Sequence, residues 1–228
     1  MTLPTVFVFG ATSDGGTELC RRLRADDVHV IAGVRASSDC SGLEALGVEC
    51  RQADAMQPDQ LRDALQDLDS NVAIASLLGG MPSKAASRVD SEGINNVIDA
   101  AVATGVRRFV LVSSVGCNES RKALIPIPRF ILRHTIREKS KSENHLRESQ
   151  LDWTIIRPGR LTTIFKKPTG RGILIEHPLA AGAITRVDLG ELVYKAVTSE
   201  QAIGKIYTAA DQRHAKIIGG LTVEPVQL

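Results

Sequence analysis

Four consecutive apolar residues, Val6-Phe7-Val8-Phe9, open the pattern of this chain. An unbroken run of that length suits a strand buried on both faces. A helical period follows, with Leu19, Cys20 and Leu23 on one side and Arg21, Arg22 and Arg24 on the other. The same alternation repeats downstream. Strands are predicted over 28–34, 48–53, 71–77, 109–112, 153–156 and 206–210. Helices are predicted over 42–46 and 58–65, along a long segment containing Val89, Gly93, Val97, Ala100 and Ala101, and over about 135–149 and 188–199. Pro58 stands near a helix start, where its missing N–H costs nothing. Residues 160–185 read as loop-rich, and Ile217-Ile218 with Leu221-Thr222-Val223 as a short hairpin around Gly219-Gly220. Strands alternating with helices call for a doubly wound, mostly parallel α/β sheet with helices on both faces, in a single domain over 1–228.

In such sheets ligands sit beyond the carboxyl ends of the strands, at the point where strand order reverses. The residues at those ends carry the chemistry. Gly10-Ala11-Thr12-Ser13-Asp14-Gly15-Gly16 joins the first strand to the first helix. A tight glycine turn there brings main-chain N–H groups and a helix N-terminus to a phosphate. Its spacing places Ser13 where G-x-x-G-x-x-G has its middle glycine. The second strand ends at Arg35, with Ser37 and Ser38 close behind, where an acidic residue would bind free ribose hydroxyls. A guanidinium matches a phosphate instead, which predicts NADP(H) as the cofactor. Asp54, Leu78-Gly79-Gly80, Ser113-Ser114 and Pro158-Gly159 close four further strands.

Composition adds limits. A chain of 228 residues, 43% hydrophobic and 24% charged, reads as an ordinary soluble globular protein. No apolar run reaches the roughly 18 residues of a membrane span. The first strand begins within a few residues of Met1, so no signal peptide is expected. Cys20, Cys40, Cys50 and Cys117 show no C-x-x-C spacing, so reduced thiols in a cytoplasmic protein are expected, and no metal site. Net charge is +2, yet residues 121–147 hold eight Lys or Arg against two Glu. With few aromatics and no helix-turn-helix or zinc pattern, that segment suits a solvated face or an anionic ligand better than nucleic acid.

The chain resembles the atypical short-chain dehydrogenase/reductases over about residues 5–210. The resemblance is carried by Val8-Phe9-Gly10-Ala11-Thr12, Val34-Arg35, Ala53-Asp54-Ala55, the stretch from Gly105 to Ser114, the stretch from Leu146 to Gly159, and Ile184-Thr185-Arg186-Val187-Asp188-Leu189. The group includes flavin and biliverdin reductase-like enzymes and regulators resembling the nitrogen metabolite repressor. The resemblance implies that Gly10, Thr12, Ser13, Asp14 and Gly15 wrap the pyrophosphate and that Arg35, with Ser37, holds the 2′-phosphate. It sets Asp54 and Ala55 beside the adenine, Leu78, Gly79 and Gly80 near the ribose, and Pro158 and Gly159 by the nicotinamide. Ser113 and Lys139 complete the cofactor set. The Ser13 hydroxyl is itself a possible phosphate donor.

Standard members use Ser, Tyr and Lys, the tyrosine giving a proton to a carbonyl. Ser114 and Lys139 match the serine and lysine. The tyrosine position, one helical turn before Lys139, is Thr135. A threonine hydroxyl is a far weaker acid than a phenol with its pKa of about 10. His134 is the neighbouring candidate acid, since imidazoles titrate near neutrality. Segments 117–134 and 160–185 fall where the family builds its substrate side, a small extension beyond the nucleotide unit, with Arg129 and Arg133 as candidates for an acidic group of a small-molecule substrate. The expected activity is reduction of a flavin-like or natural-product acceptor. The missing tyrosine keeps two alternatives open: isomerase or cyclase chemistry, and a non-enzymatic redox sensor. A monomer is the default.

Overall fold

The computed structural model describes residues 5–68, 70–79, 88–124, 132–162 and 167–228. β1 (Val6–Phe9) is buried along its whole length. Its side chains alternate between two cores, as successive strand residues must. Val6 and Val8 pack in one, with Leu19, Leu23 and Val193. Phe7 and Phe9 pack in the other, with Leu61, Ile94 and Ile98. The glycine turn leads into α1 (Asp14–Ala25), then β2 (Val30–Val34), α2 (Ser41–Glu44), β3 (Glu49–Gln52) and α3 (Pro58–Leu65). β4 (Ala73–Ser76) follows. A wide π-type turn, Val89–Gly93, runs into α4 (Ile94–Thr104), and then come β5 (Arg108–Val112), α5 (Arg133–Glu148) and β6 (Asp152–Pro158).

Segment 160–185 is not the open loop its sequence suggests. It holds β7 (Arg160–Leu161), β8 (Gly172–Ile175), β9 (Ala180–Ala181) and β10 (Ala183–Ile184). Two-residue strands are too short to show any period. α6 (Arg186–Val197) begins two residues before the predicted helix, because Thr185 caps it by accepting the Asp188 N–H. β11 (Lys205–Asp211) and β12 (Lys216–Ile217) complete the order. The tail hairpin does not form: β12 pairs antiparallel with β9 instead.

The main sheet runs β3-β2-β1-β4-β5-β6-β11-β8, parallel throughout except for β8, which is antiparallel to β11. It is the doubly wound α/β sheet expected. Strand order reverses at β1, which pairs with β2 on one side and β4 on the other. The carboxyl ends of these strands therefore open a crevice directly above Gly10. Among the described residues no helix is long and apolar enough to cross a membrane.

Candidate functional site

Gly10 takes a positive φ of 80°, and a Cβ there would stand 2.8 Å from the Leu77 carbonyl oxygen. Only glycine lets the turn pass this close to the end of β4. Ser13 settles into the turn with φ −80° and ψ 158°, as the N-cap of α1. Its Oγ accepts the Gly16 N–H at 3.1 Å and donates to the Gly10 carbonyl at 2.8 Å. In this structure the hydroxyl bridges the two ends of the turn. With Gly16 and Thr17 already donating to Ser13, the Asp14 and Gly15 N–H groups at the start of α1 are left for an anion. Thr12 and Asp14 are exposed on the same turn. A compact turn with glycines at 10, 15 and 16, set at a helix start, fits a nucleotide pyrophosphate.

Arg35 follows β2 directly and is exposed, as is Ser37. Asp54 lies just past β3, where its Oδ1 accepts the Met56 N–H at 2.9 Å and so shapes its own loop. Ala55 is buried, and its carbonyl accepts from Asn96 Nδ2 at 2.9 Å. These residues share the sheet edge with the cradle.

Above β1, β4, β5 and β6 the edge deepens into a cavity of about 750 Å³. Ser13 and Gly15 line one end, and Leu78, Gly79, Ser113, Pro158 and Gly159 line its floor. Ser114, Thr135 and Lys139 all line the same cavity. One helical turn separates Thr135 from Lys139, so both project from the same face of α5. Lys139 donates to the Leu78 carbonyl at 3.2 Å, and its Nζ stands 3.1 Å from Asp90 Oδ1. Asp90 is 1% exposed, and its carboxylate accepts no hydrogen bond from the described residues. Burial holds its pKa above the ordinary carboxylate value, although Lys139 pulls the other way. Ser113 Oγ lies 3.5 Å from Cys117 Sγ. Burial pushes the Cys117 thiol up, making it a packing group rather than a nucleophile.

α5 is clamped to β6 from behind. The buried Glu143 receives Arg157 Nε at 2.9 Å and Nη2 at 2.7 Å, and Asn118 Nδ2 at 2.7 Å. Burial works against the Arg157 cation, but Glu143 and Glu119 more than offset it. This fixes the row that carries Thr135 and Lys139 over the ends of β5 and β6.

Two expectations fail on helix geometry. His134 and Arg133 are exposed and do not line the cavity, since neighbouring helical residues point about 100° apart. His134 lies instead beside Glu138, one turn along. Arg129 and Gly80 lie outside the described residues. Four charged or titratable cavity residues were not expected there: Arg160, Arg186, His214 and Lys216. Arg186 could have been suspected. It opens α6, where the helix dipole disfavours a cation, so its place there asks for a compensating anion. Both tyrosines are engaged away from the cavity. Tyr207 is 1% exposed in the core, and Tyr194 donates to Asp26. No proton donor of that kind reaches the site.

Comparison with known proteins agrees with this geometry. The sequence profile of the NAD(P)H-binding family matches residues 10–200. The chain belongs to that family, the atypical short-chain dehydrogenase/reductases with a Rossmann fold. It is 30% identical to an uncharacterized chloroplastic protein of Arabidopsis thaliana, over 88% of this chain and 74% of that one. It is 29% identical to the chloroplastic protein TIC 62 of Oryza sativa, but spans only 42% of that protein's length. Among solved structures, the anaerobilin reductase ChuY of Escherichia coli O157:H7 superposes with a TM-score of 0.80 at 25% identity, covering 91% of this chain and 97% of ChuY.

Proposed function

We propose that this chain is an NADPH-dependent reductase of a small organic acceptor, working without a tyrosine proton donor. One observation carries the reading. The phosphate cradle, Ser114, Thr135 and Lys139 converge on a single cavity, and neither tyrosine is there. The likeness to an anaerobilin reductase, and a 25% identity over 68% of the chain to the NAD(P)H azoreductase of Xenophilus azovorans, support reduction as the chemistry.

When bound, the dihydronicotinamide supplies a hydride to the acceptor. The rest falls to the chain. The α1 turn neutralises the pyrophosphate with main-chain N–H groups, and Arg186, lining the same end of the cavity, adds a cation. Lys139, steadied by the Asp90 charge and donating to the Leu78 carbonyl, has N–H donors left for the ribose hydroxyls. Ser114 orients the acceptor. Thr135 is too weak an acid to protonate it, so the proton comes from water. That restricts acceptors to conjugated systems whose reduced anion is already stabilised, such as a flavin or a quinone.

Arg35 sets the preference between nucleotides. Calorimetric titration is expected to show NADPH binding about tenfold or more tighter than NADH, the worth of one charge-assisted phosphate contact. Arg35→Ala should abolish that difference and leave NADH binding as it was. Equal affinity of the wild-type chain for the two nucleotides would contradict the assignment.

A further inference from the structure

The far end of the cavity carries an excess of charge that the nucleotide does not explain. Among the described residues, the cavity walls contain Lys139, Arg160, Arg186, His214 and Lys216, and no Asp or Glu. Lys139 has Asp90 behind it and Arg186 sits at the cradle end. Arg160 and Lys216 form no ion pair with any described residue. Surface cations elsewhere in the chain commonly do: Arg21 meets Glu18, Arg51 meets Asp67, and Lys205 meets Glu176.

Backbone pairing sets where these two cations line the cavity. Arg160 in β7 is the register partner of Ala183 in β10, and its N–H donates to the Gly182 carbonyl at 2.9 Å. Lys216 in β12 is the register partner of Ala181 in β9. The run Ala181-Gly182-Ala183 therefore joins the partner strands of both cations, and it is held tightly in place: a Cβ on Gly182 would stand 2.7 Å from Ala210 Cβ. His214 joins the same rim, two residues before Lys216, with Nδ1 3.3 Å from Asp211 Oδ1. Asp211 itself is fully buried beneath, where Thr169 Oγ1 and Arg171 Nη2 also meet it. The remaining walls of this half are apolar, formed by Leu124, Leu132, Ile136, Leu161 and Ile218. Arg160 and Lys216 are both exposed, so their charges meet an entering anion from the solvent side of the chamber.

We propose that this half of the cavity recognises an acceptor with an apolar body and an oxyanion group, a carboxylate or its equivalent, seated between Arg160 and Lys216. The inference rests on the reading of the cavity as the place where an acceptor meets the nucleotide. It moves the acid-binding role from the helix α5 arginine of the sequence to a pair assembled by two short strands.

Two dyes with the same body test it. The probes are 8-anilinonaphthalene-1-sulfonate and its neutral counterpart N-phenyl-1-naphthylamine, each titrated by fluorescence into the chain with and without saturating NADP⁺. The sulfonate is expected to bind about tenfold tighter, the worth of two partly solvated charge contacts. The double variant R160E/K216E should erase that margin and leave the naphthylamine affinity unchanged, which also reports that the chamber is intact. Equal affinity of the wild-type chain for the two dyes, no sulfonate binding, or a margin that survives in R160E/K216E would overturn the proposal. NADP⁺ failing to bind by calorimetry would sink the nucleotide reading instead, and the dyes without NADP⁺ would still decide this one.

Discussion

Lys139 and Asp90 hold a charge pair in a place with almost no water: the lysine side chain is 10% exposed and the aspartate 1%. Removing one partner strands the other. Lys139→Met should cost about 3–5 kcal/mol in urea unfolding near neutral pH. Asp90 limits that loss by taking a proton, because burial already raises its pKa. Its contribution is then fully present below the unfolded-state value and is lost as pH rises through the folded one. The variant should accordingly approach wild-type stability in acid and fall behind as pH rises, and D90N/K139M should recover most of the deficit. A deficit independent of pH would mean that the pair is not the cause. At this scale the sequence was partly readable. The Gly10–Gly16 turn, Arg35 and the absent tyrosine at 135 show in local spacing. Asp90 does not: the apolar stripe reads from Val89, whereas the buried face runs Asp90, Ile94, Val97, Ile98 and Ala101, and a carboxylate on it gives no apolar signal.

Helices α1 and α6 meet closely enough that their backbones nearly touch. A Cβ on Gly190 would stand 2.3 Å from the Gly15 carbonyl oxygen, and a Cβ on Gly15 would stand 2.8 Å from the Arg186 carbonyl. The contact joins the phosphate turn to the helix that carries Arg186, so packing and binding share it. Gly190→Ala should lower stability by about 1–3 kcal/mol, the usual cost of overpacking, and weaken NADPH in calorimetry as the turn shifts. Lost stability with unchanged NADPH affinity would separate the two. Elements with a long enough pattern were legible: β1, α3 and the helix over α5 lie where the apolar periods put them, within a few residues. The short strands β7, β9, β10 and β12 were not, since two residues display no period and their partners lie far along the chain. Arg160 and Lys216 were missed for the same reason.

Across the whole molecule, the strand order brings segments from distant parts of the chain to one sheet edge. The cradle after β1, the ends of β4, β5 and β6, one face of α5, and the β7, β9 and β12 wall enclose a single cavity. Doubly wound topology was readable from the alternation of strands and helices. The tail's return to cover the substrate side was not, because a long-range antiparallel pairing leaves no local trace. The chemistry proposed for that cavity is hydride transfer from NADPH without a tyrosine. It is tested most directly by loading the chain with NADPH and following absorbance at 340 nm as flavins and quinones are added, in wild type and in Thr135→Val. The expected result is decay of the signal, slower when the transferred C4 hydrogen is deuterium, with Thr135→Val within about twofold of wild type, since a weak hydroxyl acid contributes little proton transfer. Tight NADPH binding with no oxidation across the acceptor panel would contradict it.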